Sequence, residues 1–403
     1  MKILHTSDWH IGRSFHGHAT QPFVREVFAA MVELVEQRGI DVVVVSGDVF
    51  DSATPAAENY EVLTETLGAL RQAGAIVVMT SGNHDSATRL GFQSGFASLG
   101  GVHVITRHEQ LDTPVTIDDD HGPVHFYGIP YLEPALVRHH YPDTPLRSHE
   151  EVLGHAMSRI RDDLAHRGGR SVVLAHAFIA DVPASDVERD ISAGGLDLVP
   201  LSVFDGPDYV ALGHIHGRAT LRDGVRYSGA PLHYSFSEAG TPRGGWLVEL
   251  DSAGLHTVEW AELPVPRRLS VLTGEIDELL GGEQYGENEN DWVSAILTDR
   301  VRPLDAMRRL QVRFPYAAHL EHRPAVTAER SAATYAERVR GASDTEVVAG
   351  FLEHVRNGVG PNAGEQRLIA DALGAGGDRP GTRSAPTERS APTERSATIE
   401  GAS

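Results

Sequence analysis

The feature that most constrains the fold is a series of five short polar blocks, each placed just after a predicted strand. The blocks are Asp8-Trp9-His10, Gly47–Asp51, Gly82–Asp85, His176 and Gly213–Gly217. Because the carboxyl ends of strands in an α/β sheet gather at one edge, we expect these blocks to converge there. Helical patterns lie between the strands, so the chain is predicted to have an α/β fold with a large sheet core.

The predicted elements of the first half alternate between strands and helices. Val42–Val45 is a continuous apolar run, which is typical of a strand buried on both faces. The other predicted strands are Lys2–His5, Ile76–Thr80, Val124–Ile129, Val172–Ala175, Tyr209–Leu212, Arg226–Ser228 and Trp246–Leu250, and the predicted helices are Pro22–Gln37, Ala56–Gln72 and Glu150–His166.

A proline-rich break at Pro264-Val265-Pro266 separates residues 1–265 from a smaller α/β module in residues 266–325. The module is predicted to contain strands at Leu269–Leu272, Trp292–Leu297 and Tyr316–Leu320, and a helix from about Asp305 to Arg313. The sequence thus predicts a second, independent layer of sheet and helix after the main domain.

The remainder of the chain is predicted to be helical and then disordered. In residues 326–375, Ser343 and Asn362 each have a glutamate three residues later, which predicts two capped amphipathic helices. Their apolar faces would pack either on this protein or on a partner, and the residues alone favour neither. Residues 376–403 contain three copies of a hexapeptide rich in Ser, Thr and Pro, a composition that cannot bury a core.

Composition limits the chemistry and the partners. The chain has 403 residues and no cysteine, so any metal must be held by nitrogen and oxygen atoms. Its 35 basic and 56 acidic residues give a net charge of −21, which argues against autonomous binding of DNA but allows a local groove, bound metals or a partner. The N-terminus lacks the apolar stretch of a signal peptide, so we expect a cytoplasmic protein.

The five blocks together supply the ligands expected of a metal site. One histidine among 22 is a weak signal, but the blocks sum to two Asp, one Asn and four His at predicted strand ends. The candidate ligands are Asp8, His10, Asp48, Asn83, His176, His214 and His216. The carboxylate of Asp48 could bridge two divalent ions, and such a pair can activate water and stabilise an in-line displacement at phosphorus.

Two residues beside Asn83 are candidates for catalysis. His84 is well suited to give a proton to a departing oxygen or to stabilise its charge. Asp85 could orient the imidazole ring of His84. The role of Asp51 is open, since it could orient a ligand or simply hydrogen-bond within its loop.

The blocks, in this order, resemble the calcineurin-like metallophosphoesterase superfamily. Within it, five motifs resemble the SbcD-type nuclease subunits of the bacterial SbcCD complex. The motifs are His5–Gly12, Gly47–Asp51, Gly82–Ser86, Gly229–Pro231 and Ser235–Glu238. The likeness covers about residues 1–320 and includes a capping domain in the second module.

This resemblance implies two face-to-face mixed sheets flanked by helices, and two manganese ions. One ion would be held by Asp8, His10, Asp48 and His216, and the other by Asp48, Asn83, His176 and His214. His84 would be the catalytic histidine.

The resemblance also implies 3′-to-5′ exonuclease action on duplex DNA and endonuclease action on single strands or hairpins, in DNA repair, recombination and replication. It implies an SbcC-like SMC-family ATPase as partner, which the helices in 343–373 would bind. A homodimer within a heterotetramer, associated with the nucleoid, would complete the assembly.

Two other functions are compatible with the residues. A phosphoesterase acting on cyclic nucleotides or phosphomonoesters would use the same seven ligands, although it would need neither cap nor tail helices. A scaffold that only holds an ATPase would suit the acidic charge, yet it would not need a complete ligand set. The residues alone do not choose among Mn²⁺, Fe²⁺ and Zn²⁺.

Overall fold

A computed structural model describes residues 1–179, 199–324 and 341–376. The described residues form two compact units, one within residues 1–297 and 304–322 and the other within residues 298–303, 323–324 and 341–376. Residues 326–340 of the predicted helical segment, and the predicted disordered tail from residue 377 onward, lie outside the described residues. None of the helices in the described residues is long and apolar enough to cross a membrane.

The first sheet has six strands and is mixed. Its members are β1 (Lys2–Thr6), β4 (Val42–Ser46), β5 (Ile76–Thr80), β6 (Val102–Ile105), β13 (Gly244–Asp251) and β14 (Gly254–Glu262). The order is β14, β13, β1, β4, β5, β6. Strands β1, β4, β5 and β6 run parallel, whereas β13 is antiparallel to both of its neighbours.

The second sheet also has six strands and is mixed. Its members are β7 (Val115–Asp119), β8 (Gly122–Ile129), β9 (Arg170–His176), β10 (Tyr209–Gly213), β11 (Ala219–Arg222) and β12 (Val225–Tyr227). The order is β11, β12, β10, β9, β8, β7, and the four inner strands are parallel. The prediction of an α/β fold with two packed mixed sheets is confirmed.

The apolar run in β4 shows how the layers are held together. Val42 and Val44 are buried between the two sheets, in a core shared with Val172 and Leu174 of β9. Val43 and Val45 point the other way and are buried against the helices on the outer face of the first sheet. This alternation explains why every residue of the run is apolar, because both of its faces are covered.

Helices cover the outer faces of both sheets. They are α1 (Gln21–Arg38), α2 (Ala57–Gln72), α3 (Ala87–Leu90), α4 (Ser94–Leu99), α5 (Pro134–Val137) and α6 (His149–Arg167). Helices α1 and α2 pack on the first sheet, and α6 packs on the second. Helix α6 begins at a capping box, in which the Ser148 hydroxyl accepts from the Glu151 amide and the Glu151 carboxylate accepts from the Ser148 amide.

The small module has its own parallel sheet. It comprises β15 (Leu269–Gly274), β16 (Trp292–Leu297) and β17 (Ala317–His322), with α7 (Ile276–Gly281) and α8 (Ala306–Arg313). Leu279, Leu310 and Phe314 form its buried core. Its Trp292 packs on Phe15 of the hairpin β2 (Ser14–Phe15) and β3 (His18–Ala19), which follows the first polar block.

The second unit contains the two capped helices predicted from the sequence, α9 (Asp344–Val355) and α10 (Ala363–Gly376). The Ser343 hydroxyl accepts from the Glu346 amide, and the Asn362 side chain accepts from the Glu365 amide. Both terminal guanidinium nitrogens of Arg356 bond to the carboxylate of Glu365 at 2.8 Å, which links the two helices.

Candidate metal centre

The five polar blocks converge, as predicted, at the carboxyl ends of strands. Asp8 and His10 follow β1, Asp48 follows β4, and Asn83 follows β5, all in the first sheet. His176 ends β9, and His214 and His216 follow β10, both in the second sheet. The ligands therefore come from two facing sheets rather than from the single sheet edge that we predicted.

Four of the seven candidate ligands have a left-handed backbone. The φ angles are 53° at Asp8, 43° at His10, 51° at Asp48 and 103° at His214. The segment that carries Asp8 and His10 is therefore a turn and not a continuation of strand β1. Non-glycine residues rarely adopt this conformation, and such strain is concentrated at functional sites.

Two glycines make the close approach of these loops possible. A side chain at Gly47, where φ is 84°, would collide with the ring of His176. A side chain at Gly82 would collide with the backbone amide and carboxylate of Asp48. The loops are tied together by the His10 amide, which donates to the Asp48 carbonyl at 2.9 Å.

The carboxylate of Asp48 lies at the middle of the site. Its Oδ2 atom is 3.6 Å from Nε2 of His10 and 3.3 Å from Nε2 of His176. Its Oδ1 atom accepts a hydrogen bond from the backbone amide of His84 at 2.9 Å. One carboxylate oxygen thus faces two separate groups of donor atoms, which is the arrangement of a bridging ligand.

The first group of donor atoms contains His10 and His216, whose Nε2 atoms are 3.1 Å apart. Nδ1 of His216 lies 3.1 Å from Glu238 and Nδ1 of His10 lies 3.3 Å from Asp51. An ionised carboxylate only accepts, so Nδ1 of His216 carries the proton and its Nε2 presents a lone pair. Nδ1 of His10 makes no hydrogen bond of good geometry, but the nearby Asp51 carboxylate favours the same tautomer for this ring. Two lone pairs at this distance repel unless a cation lies between them.

The second group contains Asn83, His176 and His214. Nδ1 of His176 donates to the carbonyl of Ser46 at 2.9 Å, so in the neutral ring Nε2 presents a lone pair. That atom is 2.9 Å from Oδ1 of Asn83 and 3.3 Å from Nδ1 of His214. The donors again face one another and fit a second cation.

The chemistry of both groups fits a pair of divalent ions held by nitrogen and oxygen. Within the described residues, Asp8, His10 and His216 form one set whose ligand atoms all lie within 4.8 Å of one another, and Asp8, Asp48 and His176 form another. A third set joins His10, Asp48 and His84.

Burial sets the protonation of the imidazoles. It lowers the pKa of His10 to about 4 and that of His214 to about 3, so both rings are neutral and free to bind a cation at neutral pH. At His176 burial also lowers the pKa, but the Asp48 carboxylate outweighs it and raises the pKa to about 9. A cation bound at His176 must therefore displace a proton.

Glu238, the last residue of the motif Ser235–Glu238, is a further residue of the site, and its role was not predicted from the sequence. It is 4% exposed, its Oε1 faces His216, and its Oε2 accepts from Nη2 of Arg243 at 2.6 Å and from the Tyr234 amide at 3.0 Å. Burial by itself raises its pKa, but the His216 and Arg243 contacts prevail and hold it at about 2. Glu238 is therefore ionised and orients the ring of His216.

His84 is oriented by Asp51 and not by Asp85. Its Nδ1 donates to the Asp51 carbonyl at 3.0 Å, and its ring lies edge-on to that of His10 with centroids 4.8 Å apart. The expectation that Asp85 orients this ring is wrong. The Asp85 carboxylate instead accepts from the amides of Gly82, Val49 and Phe50 at 2.9–3.0 Å, because these loop amides lack strand partners.

Asp51 has a defined place in the site. Its carboxylate lies 3.3 Å from Nδ1 of His10 and accepts from Nη1 of Arg13 at 3.1 Å. Of the two roles left open for it, the structure favours orientation of a ligand.

Comparison with known proteins gives two family matches. A family model described as calcineurin-like phosphoesterase matches residues 1–218. A second model, SbcD_C, described as type 5 capsule protein repressor C-terminal domain, matches residues 265–356.

Three solved structures that resemble this chain have low sequence identity to it. TT1561 of Thermus thermophilus is 14% identical, with 65% of this chain and 98% of that chain covered and a TM-score of 0.38. A dimetal phosphatase from Danio rerio is 14% identical, with the same coverage and a TM-score of 0.40. GAP50, the anchor in the inner membrane complex of Plasmodium, is 9% identical, with 81% and 98% covered and a TM-score of 0.39.

Proposed function

Because this chain belongs to the calcineurin-like phosphoesterase family and is accordingly a metal-dependent phosphoesterase, we propose that it is the nuclease subunit of an SbcCD-like complex. In this proposal it hydrolyses phosphodiesters of DNA, as a 3′-to-5′ exonuclease on duplex ends and an endonuclease on hairpins and single strands. Its setting would be DNA repair, recombination and replication.

One observation carries the two-metal part of the proposal. Oδ2 of Asp48 lies between Nε2 of His10 and Nε2 of His176, at 3.6 and 3.3 Å, with a cluster of potential metal ligands on each side. The DNA part is supported by the match of the SbcD_C model to residues 265–356, which include the small module and α9.

In the proposed site, Asp8, His10 and His216 would hold one ion, Asn83, His176 and His214 would hold the other, and Asp48 would contribute to both. Two divalent ions held there would supply an activated water and neutralise charge on the reacting phosphate. We take the ions to be Mn²⁺, as in the family that the motifs resemble.

His84 has the proposed role of moving a proton to the leaving oxygen. Its Nδ1 is fixed on the Asp51 carbonyl, so Nε2 is the atom left to face the substrate. The ring is partly exposed, with 29% of the side chain accessible, and it adjoins His10. A proton held at Nε2 would pass to the departing oxygen as its bond to phosphorus breaks.

The proposed assembly follows the predicted boundaries. Residues 1–265 form the nuclease domain, residues 266–325 the capping domain, and residues 326–375 the segment that binds an SbcC-like SMC-family ATPase. The net charge of −21 makes such a partner useful, because the chain as a whole repels DNA phosphates.

The proposal is tested by incubating the full chain and Mn²⁺ with end-labelled linear duplex DNA and hairpin DNA, and in parallel with a cyclic nucleotide. We expect DNA cleavage that increases greatly with the ATPase partner. An Asp48→Ala preparation, purified identically, should be inactive and so exclude a contaminating nuclease. Turnover of the cyclic nucleotide without DNA cleavage would contradict the nuclease and identify a small-molecule phosphoesterase.

A further inference from the structure

A large cleft opens directly beside the metal centre. It has a volume of about 830 Å³, and Asn83 and Tyr131 lie on its wall. Asn83 is also 2.9 Å from His176, and the ring of Tyr131 lies 6.4 Å from the ring of His176. The cleft is therefore continuous with the place where a phosphodiester would be cut, and its volume is that of a small-molecule site.

The far part of the cleft has exposed apolar surface. Phe92, between α3 and α4, is 74% exposed, and Leu136 of α5 is 69% exposed. An aromatic face this open offers a stacking platform for a flat ring. Isolated apolar residues on a surface are common, so the significance of Phe92 comes from its position on the wall of the cleft.

The rim of the cleft carries nitrogen donors. The rings of His108 and His140 lie 4.2 Å apart, and Arg107 stands beside them. The guanidinium of Arg107 has no ion-pair partner among the residues that the structure describes, so its charge is available to an anion. Glu133 also lines the cleft, and it accepts from the Tyr131 hydroxyl at 3.4 Å.

We propose that this cleft holds one or two unpaired nucleotides of the DNA strand being cut, next to the scissile phosphate. Phe92 stacks on a base and Arg107 pairs with a backbone phosphate. Unpaired nucleotides are specified because a base inside a duplex has no free face, whereas a base in a single strand stacks on aromatic side chains. Stacking tolerates any sequence, as a general nuclease requires.

The inference rests on the proposed nuclease function, and the test separates the two. KM and kcat of the full chain with Mn²⁺ are measured for a single-stranded oligothymidylate, for an abasic oligonucleotide of the same length, and for the small phosphodiester bis(p-nitrophenyl) phosphate. Phe92→Ala should raise KM for the oligothymidylate by roughly ten-fold relative to the abasic oligonucleotide, which has no base to stack. Arg107→Ala should make its KM less dependent on salt, with a slope smaller by roughly 0.7.

Phe96→Ala is the matched control, since Phe96 of α4 is equally exposed at 77% but does not line the cleft. It should behave as the wild-type chain. An equal rise in KM for the oligothymidylate in both phenylalanine variants, or an unchanged KM in Phe92→Ala, would overturn the proposal. So would a drop in sedimentation coefficient for Phe92→Ala without a change in KM, which would show that a second copy covers this face. Wild-type turnover of the small phosphodiester without oligonucleotide cleavage would contradict the nuclease function itself.

Discussion

The Oε1 atom of Glu238 lies 3.1 Å from Nδ1 of His216, and both side chains are buried. The other carboxylate oxygen is held by Arg243, whose Nη1 also donates to the backbone carbonyl of Ala230. The contact fixes the tautomer of His216, because the proton must stay on Nδ1 and the lone pair on Nε2. Glu238 thereby orients a candidate metal ligand without being a candidate ligand itself.

Replacement of Glu238 by glutamine should weaken divalent ion binding. The new side chain could turn its amide toward Nδ1 of His216 and would no longer favour the proton there, so we expect a roughly 10- to 100-fold loss of affinity for Mn²⁺ at one of two sites. Isothermal titration calorimetry measures this directly. Glu262→Gln, an exposed change in β14, is the control. Equal affinity in both variants would show that the contact does not tune the site.

His84→Ala should separate metal binding from catalysis. Its proposed role concerns the leaving oxygen, so kcat for DNA cleavage should fall roughly 10²- to 10⁴-fold. Mn²⁺ content after dialysis should remain that of the wild type. His121→Ala, in the exposed turn between β7 and β8, controls for loss of any imidazole. Normal cutting by His84→Ala would show that the assignment of His84 is incorrect.

Asp85→Ala should lower the stability of the folded chain. Its carboxylate accepts from three backbone amides in two loops, and their loss would leave buried donors without partners. We expect the free energy of unfolding to fall by about 2–4 kcal/mol, measured by urea denaturation. Unchanged stability together with lost activity would instead restore a catalytic role for Asp85.

The ion pair between Asp119 and Arg170 should make stability depend on pH. The Arg170 guanidinium, and then the N-terminal ammonium, hold the pKa of Asp119 below its ordinary value of about 4. Because the pKa of Asp119 is lower in the folded chain than in the unfolded chain, its charge stabilises the fold at any pH above the unfolded-state pKa. This stabilisation is lost as the pH falls from the unfolded-state pKa through the folded-state pKa.

Accordingly, Asp119→Asn should cost about 2 kcal/mol at pH 6, and the difference from the wild type should shrink below about pH 4. Urea denaturation of both proteins at several pH values measures the difference in the free energy of unfolding and its dependence on pH. Asp118→Asn, an exposed neighbour, should have no such effect. A difference that stays constant down to pH 3 would show that the carboxylate charge is not its source.

The metal-site prediction could be made from the sequence because it depends on strand ends. A polar residue directly after a buried strand such as Val42–Val45 lies at the carboxyl edge of the sheet, and the ends of neighbouring parallel strands are adjacent there. The backbone conformation of the ligand loops could not be predicted in the same way, because the left-handed turns at Asp8 and His10 depend on hydrogen bonds to the Asp48 loop.

Contacts between distant loops could not be predicted. Glu238 lies 22 residues beyond His216, and only the folded loop brings them together. The same is true of the Asp51 carbonyl, whose bond to His84 spans 33 residues. Strand β14 was also missed, because most of its residues are exposed or half-buried and lack the continuous apolar pattern of an inner strand. The signal available in the sequence for Glu238 was its place in the motif Ser235–Glu238.

The central claim is that Asp48 joins two divalent ions, and anomalous diffraction from crystals grown with Mn²⁺ tests it most directly. We predict two peaks, one between His10 and His216 and the other among Asn83, His176 and His214, with the Asp48 carboxylate between them. A single peak, or peaks away from Asp48, would contradict the account.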